Sequence, residues 1–299
     1  MTTAETVKQL YPGFAYGRAR LDAVEIPYIT GGAGPPLLLL HGHPQTAAIW
    51  HRVAPQLARR FTVVAADLRG YGDAGKPAGL PDHSNYAKRE MARDQVELMR
   101  SLGYEQFSLV GHDRGARVSH RLAADHPASV SKLALLDICP TLAMYEQTDM
   151  AFASAYWHWF FLIQPAPFPE TLINADPRFY LTKLMGNRSA GLGPFDPAAW
   201  SEYIRCASDP ACVHAMCEDY RAAAGIDLEH DRVDRAAGRK LSCPLLVLWG
   251  RQGVIERCFE PVDEWLRVAG DVRGHALDCG HYIAEEAPQA LLAELEAFL

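Results

Sequence analysis

Six short apolar runs punctuate the chain, each breaking off at turn-forming residues: PPLLLLHGHP from Pro35, FTVVAADLRGYG from Phe61, FSLVGHDRG from Phe107, KLALLDICP from Lys132, PLLVLWGRQG from Pro244 and VRGHALDCGH from Val272. Their near-continuous hydrophobicity suits parallel strands covered on both faces. Between them, Tyr86 to Leu102 and Ala116 to Asp125 repeat apolar residues at three- and four-residue spacing, the period of a helix lying on a core. Strands alternating with helices predict a doubly wound α/β sheet. Ala15 to Thr30 reads as a short antiparallel hairpin at the sheet edge. The alternation stops from Tyr145 to about Arg239, where aromatic-rich and alanine-rich helical stretches occur without a strand candidate, and prolines 165, 167 and 169 mark loops. The predicted organisation is therefore a core of residues 1–144 and 240–299, interrupted by a helical cap of residues 145–239.

Composition narrows the class. With 299 residues, 49% of them hydrophobic, the chain can bury a substantial core. The leucine run Leu37 to Leu40 is too short to span a bilayer, and the polar opening MTTAETVKQLYPG lacks a secretory stretch, so the expected location is the cytoplasm. Seven scattered cysteines without metal-ligand spacing predict reduced thiols and no structural zinc. A net charge of −7, without a basic aromatic-interleaved stripe, argues against nucleic acid as a partner.

The sequence Gly111-His112-Asp113-Arg114-Gly115 has the spacing of a nucleophile elbow, G-x-S-x-G, with aspartate in the serine position. At a helix amino terminus the macrodipole favours an ionised carboxylate, so Asp113 is a candidate nucleophile; a plain helix N-cap is the competing reading. A carboxylate that attacks saturated carbon becomes an ester, which water must then cleave, so a base is needed for the second step. His281, directly after the last apolar run, is the candidate base, against an ordinary loop histidine. Its orienting acid is expected to be Asp137, at the end of KLALLD, rather than Glu256, because Gly253 occupies the position where an aspartate is often found. Asp137 capping the next turn is the structural alternative. Arg114 and Arg117, three apart at a helix start, oppose the macrodipole unless an anion lies between them, which suggests a carboxylate-bearing substrate; surface ion pairs are the competing account.

With HGHPQT, DLRGYGDAGKP, GHDRGARV, LLDICPT, YWHWFF, CEDYRAAAGIDLEHD and CGHYIAEEAP in order, the chain resembles the fluoroacetate dehalogenases of the α/β-hydrolase superfamily over nearly its whole length. The resemblance implies hydrolytic dehalogenation of short 2-haloacids through an aspartyl ester, without metal or organic cofactor, by an enzyme that is commonly a homodimer. It implies Asp113 as nucleophile, His281 as base and Asp137 as its partner, with Arg114 and Arg117 on the substrate carboxylate. His158, Trp159 and Tyr220 would hold the halide, and the backbone N–H groups of His43 and Arg114 the ester oxyanion. His43 departs from the aromatic residue often found after HG. Taken alone, YWHWFF also reads as an aromatic face packing the cap onto the core. Two other readings stay open. An epoxide hydrolase would use Asp113 with Tyr156 and Tyr220, although such enzymes usually carry tryptophan where Arg114 stands. A non-catalytic carboxylate-binding homologue would keep the arginines without needing His281.

Overall fold

The computed structural model describes Thr6 and residues 9–299, so most of the opening stretch read above as lacking a secretory segment lies outside the described residues. Eight strands form one sheet: β1 (Ala15–Arg20), β2 (Glu25–Gly31), β3 (Pro36–Leu40), β4 (Thr62–Ala66), β5 (Phe107–His112), β6 (Val130–Leu136), β7 (Leu245–Gly250) and β8 (Val272–Leu277). Their spatial order is β1-β2-β4-β3-β5-β6-β7-β8. The predicted hairpin is β1 paired with β2, and β2 also runs antiparallel to β4. All other pairings are parallel.

Burial follows position in the sheet. Every residue of β5 and β7 is buried, as continuous apolar runs require. The last run differs from expectation: β8 alternates exposed and half-buried residues, because it is an edge strand with only β7 beside it. The helices Lys88–Ser101 and Arg114–Asp125 fall where helical spacing placed them. Eight helices, from Thr141–Glu146 to Ile226–Ala236, lie between β6 and β7 with no strand among the described residues. This is the inserted helical cap. Among the described residues no helix is long and apolar enough to cross a membrane, and all seven cysteines are unpaired.

Candidate active site

The site is built on the turn between β5 and the helix Arg114–Asp125. Asp113 has φ 49° and ψ −114°, a strained backbone for a residue with a side chain. The two flanking glycines permit it. A Cβ on Gly115 would lie 2.2 Å from the His41 carbonyl oxygen, and one on Gly111 would lie 2.4 Å from Ser119 Oγ, so strand and helix approach too closely for any larger residue. Asp113 makes no N-cap bond. Its Oδ1 accepts the His43 backbone N–H at 2.9 Å, and Oδ2 lies 3.6 Å from His281 Nε2. The elbow thus presents the carboxylate, and the N-cap reading fails.

Asp137 and His281 meet as expected although they are remote in sequence. His281 Nδ1 donates to Asp137 Oδ2 in a short bond, and Asp137 Oδ1 accepts the Gly250 N–H at 2.8 Å. That fixes the imidazole with Nε2 toward Asp113. Burial, reinforced by the Arg188 charge, holds His281 well below the usual histidine range, so it is neutral and able to take a proton. Burial pushes the Asp137 carboxyl up to about 7; the short bond to His281 and the Gly250 N–H both favour its ionised form. Glu256 instead accepts from the Trp249 indole. Burial opposes ionisation of Asp113, but its electrostatic interactions with His281, Arg188, His112 and Arg117 outweigh it and hold the carboxyl well below its ordinary range.

Arg114 and Arg117 are both buried, so neither is a surface ion-pair residue. Arg114 is forked on Asp219: Nε donates to Oδ2 at 2.9 Å and Nη2 to Oδ1 at 2.8 Å. Lys88 and the Tyr71 hydroxyl also donate to Asp219, whose pKa is far below normal because Arg114 and Lys88 overcome the burial penalty. Arg117 has neutral partners, donating to Thr141 Oγ1 at 2.9 Å and the Cys139 carbonyl at 3.3 Å. Among the described residues no carboxylate lies within ion-pair reach of it. Arg114 Nη1 and Arg117 Nε are buried without hydrogen-bond partners. Asp219 therefore anchors one guanidinium, while the other has no counter-ion among the described residues. Because removing it strands a buried cation, Asp219→Ala should destabilise the protein by about 3–5 kcal/mol. Urea unfolding checks this: the midpoint should fall with little change in slope.

The cap lowers three further donors onto the same place. His158 and Trp159, on the helix Trp157–Leu162, and Tyr220, on the helix Pro210–Ala224, are each fully buried. Both ring nitrogens of His158, the Trp159 indole nitrogen and the Tyr220 hydroxyl are without partners. Burial keeps the imidazole neutral, with one N–H to give. The guanidinium carbon of Arg114 lies 4.2 Å from the Tyr220 ring centre, and that of Arg117 lies 4.6 Å from the Trp159 ring centre. Aromatic packing explains part of YWHWFF, since Trp159 also touches Phe152 and Tyr145. It does not explain the bare polar atoms.

This arrangement of elbow carboxylate, acid-supported histidine and cap donors accompanies a match to the family model for the alpha/beta hydrolase fold over residues 35–288. The chain belongs to the α/β-hydrolase fold family. A fluoroacetate dehalogenase from Burkholderia sp is 48% identical over 291 residues, covering 97% of this chain and 95% of its own. A soluble epoxide hydrolase from Corynebacterium sp. (strain C12) is 33% identical over 279 residues, covering 92% and 93%. The crystal structure of a Nostoc sp PCC 7120 protein assigned to the α/β hydrolases superposes with a TM-score of 0.94 at 56% identity, covering 95% and 97%.

Two residues of this α/β-hydrolase site escaped the sequence reading. Asp219 stands beside Tyr220 within CEDYR, and its acidity next to a buried cationic pair was an available signal. Arg188 follows the helix Pro177–Asn187 in a stretch without a motif. Its Nη2 donates to His281 Nε2 at 2.5 Å and lies 3.6 Å from Asp113 Oδ2. His43, whose imidazole replaces the expected aromatic wall, is kept neutral by burial and is bonded through Nε2 to the Tyr180 hydroxyl.

Proposed function

We propose that this enzyme hydrolyses the carbon–halogen bond of short 2-haloacids, with fluoroacetate and chloroacetate as the simplest substrates. The observation that carries the reading is the trio of buried, unpartnered donors on His158, Trp159 and Tyr220, with two guanidinia behind them and an ionised carboxylate alongside. A developing halide needs such donors, each contributing about 1.5–3 kcal/mol toward a charged acceptor. Arg114 and Arg117 take the substrate carboxylate. At 4 Å and an effective dielectric near 20, two like charges repel by about 4 kcal/mol, so an anionic substrate beside Asp113 requires these cations.

In the first step Asp113 Oδ2 bonds to the substrate's C2, and the C2–halogen bond breaks with its electron pair leaving as halide. In the second step water adds to Cγ of Asp113 while His281 Nε2 takes its proton. The backbone N–H groups of His43 and Arg114 stabilise the oxyanion. The Cγ–Oδ2 bond then breaks, His281 returns the proton to the departing oxygen, and the product is a 2-hydroxyacid. The division into a core of residues 1–144 and 240–299 with a cap of residues 145–239 is part of this proposal, with the cap supplying the halide donors. So are a cytoplasmic location, which the unpaired cysteines suit, and the homodimer implied by resemblance.

The epoxide reading draws on the Corynebacterium relative and requires two phenols on one oxygen. Here the Tyr156 hydroxyl accepts from Arg188 at 3.4 Å, and a neutral epoxide would leave Arg117 without an anion. The deciding assay is halide release from fluoroacetate and chloroacetate, with styrene oxide and 1-chlorobutane as controls. Halide from the acids alone is expected. Turnover of styrene oxide with no halide from either acid would transfer the site to the epoxide hydrolases.

A further inference from the structure

Arg188 is buried at the centre of the site, where its charge favours ionised Asp113, yet neither step of the scheme uses its free donors. Its main-chain oxygen accepts the His281 N–H at 2.9 Å, which fixes the guanidinium beside the base. Nη2 donates to the His281 Nε2 lone pair, the one that must accept the water proton, while Nε and Nη1 are buried without partners. The guanidinium carbon lies 4.8 Å from the Tyr156 ring centre. On the outer side of Arg188 opens a cavity of about 130 Å³, lined also by Tyr156, Ser189, Gln252, Arg257 and His281. Asp113 is not among its walls, whereas Arg188 both lines the cavity and lies 3.6 Å from Asp113 Oδ2. Arg257 adds a second cation to that cavity.

The site therefore holds two separate sets of free guanidinium donors: Arg114 and Arg117 on the halide side of Asp113, and Arg188 on the side of the base and the outer cavity. One carboxylate can satisfy only the first set. We infer that Arg188 is a specificity-determining residue that selects 2-haloacids carrying a second carboxylate, the short 2-halodicarboxylates, with 2-chlorosuccinate as the simplest. The inference rests on the dehalogenation reading. The first carboxylate sits on Arg114 and Arg117, C2 faces Asp113 Oδ2, and the second carboxylate, two bonds from C2, takes the fork of Arg188 at the mouth of the outer cavity. A carboxylate engaging that fork draws Nη2 away from His281 and frees the lone pair the second step needs. A haloacetate has no group to do this, so its ester is hydrolysed only when Nη2 leaves His281 unaided, and it turns over more slowly. The reaction is the one already written, giving chloride and a 2-hydroxydicarboxylate.

The test measures chloride release from 2-chlorosuccinate and from chloroacetate by the native protein, Arg188→Gln and Arg188→Lys. The native protein should prefer 2-chlorosuccinate in kcat/KM by about tenfold or more. Arg188→Gln should lower kcat/KM for 2-chlorosuccinate by about 10- to 100-fold, chiefly through KM, because a charge-assisted contact is lost. The same change should raise chloroacetate turnover several-fold by releasing His281, and Arg188→Lys should restore part of the 2-chlorosuccinate activity. Opposite signs on the two substrates are not expected of a merely structural residue. A native preference for chloroacetate, or equal losses on both substrates in Arg188→Gln, would overturn the inference and leave the dehalogenation reading standing. Absence of chloride from both substrates with the folded native protein would overturn that reading and this inference with it.

Discussion

Asp113→Asn should lower halide release by about four orders of magnitude or more, to the level of the uncatalysed background. The amide keeps the shape of the side chain, and its oxygen can still accept the His43 N–H that now bonds Oδ1. What disappears is the anionic oxygen aimed at carbon, and with it the only route to the ester. The backbone strain at the elbow is unchanged and buried Arg188 loses a counter-charge 3.6 Å away, so some loss of stability is expected, and circular dichroism and the melting temperature separate chemistry from collapse. A fluoride electrode reads the activity. Single-turnover hydrolysis by the native enzyme in ¹⁸O-labelled water, followed by peptide mass spectrometry, should place the heavy oxygen in the peptide containing Asp113. Native-like turnover by the asparagine variant, or label confined to the hydroxyacid, would remove Asp113 from the nucleophile role.

His281→Asn should divide the reaction into its two halves. Attack on carbon needs no proton transfer, so the variant should release about one equivalent of halide per site in a rapid first phase. Hydrolysis of the ester should then slow by about 10²–10⁴-fold, the usual contribution of a positioned base. The intact protein should carry the mass of the acyl adduct, located on Asp113 by peptide mapping. The expectation follows from geometry: Asp137 and the Gly250 N–H hold the ring so that Nε2 faces the carboxylate, and burial keeps that nitrogen unprotonated. Steady turnover without an adduct would mean that another group activates the water.

The parts of this protein legible in its sequence are those governed by local rules. Gly111 and Gly115 bracket a turn that only close approach of strand and helix explains, and the apolar run before them requires a buried strand; both signals lie within a dozen residues. Asp137 and His281 were legible for a related reason, since each follows a strand at the same edge of a parallel sheet, where residues remote in sequence converge. Exposure along β8 was not legible, because an edge strand and a central one can share a composition. Asp219 and Arg188 were harder still. Their roles exist only once the cap is seated: Asp219 becomes a counter-ion when its helix reaches Arg114, and Arg188 approaches the base because its carbonyl is tied to His281. Motif spacing carries no information about contacts that a whole inserted layer creates.

The seating of each guanidinium on an aromatic face ties the two ends of the ligand together. A cation against the π cloud of Tyr220 or Trp159 draws electron density toward itself, which makes the phenol hydrogen and the indole hydrogen better partners for a departing anion. Grip on the acid head and ease of bond breaking at the tail are thus properties of the same two stacks. A lineage of this fold that drifted toward uncharged ligands would be driven to give up its arginines and would, in the same step, blunt its own leaving-group assistance. Substrate choice and chemical power are expected to change together here.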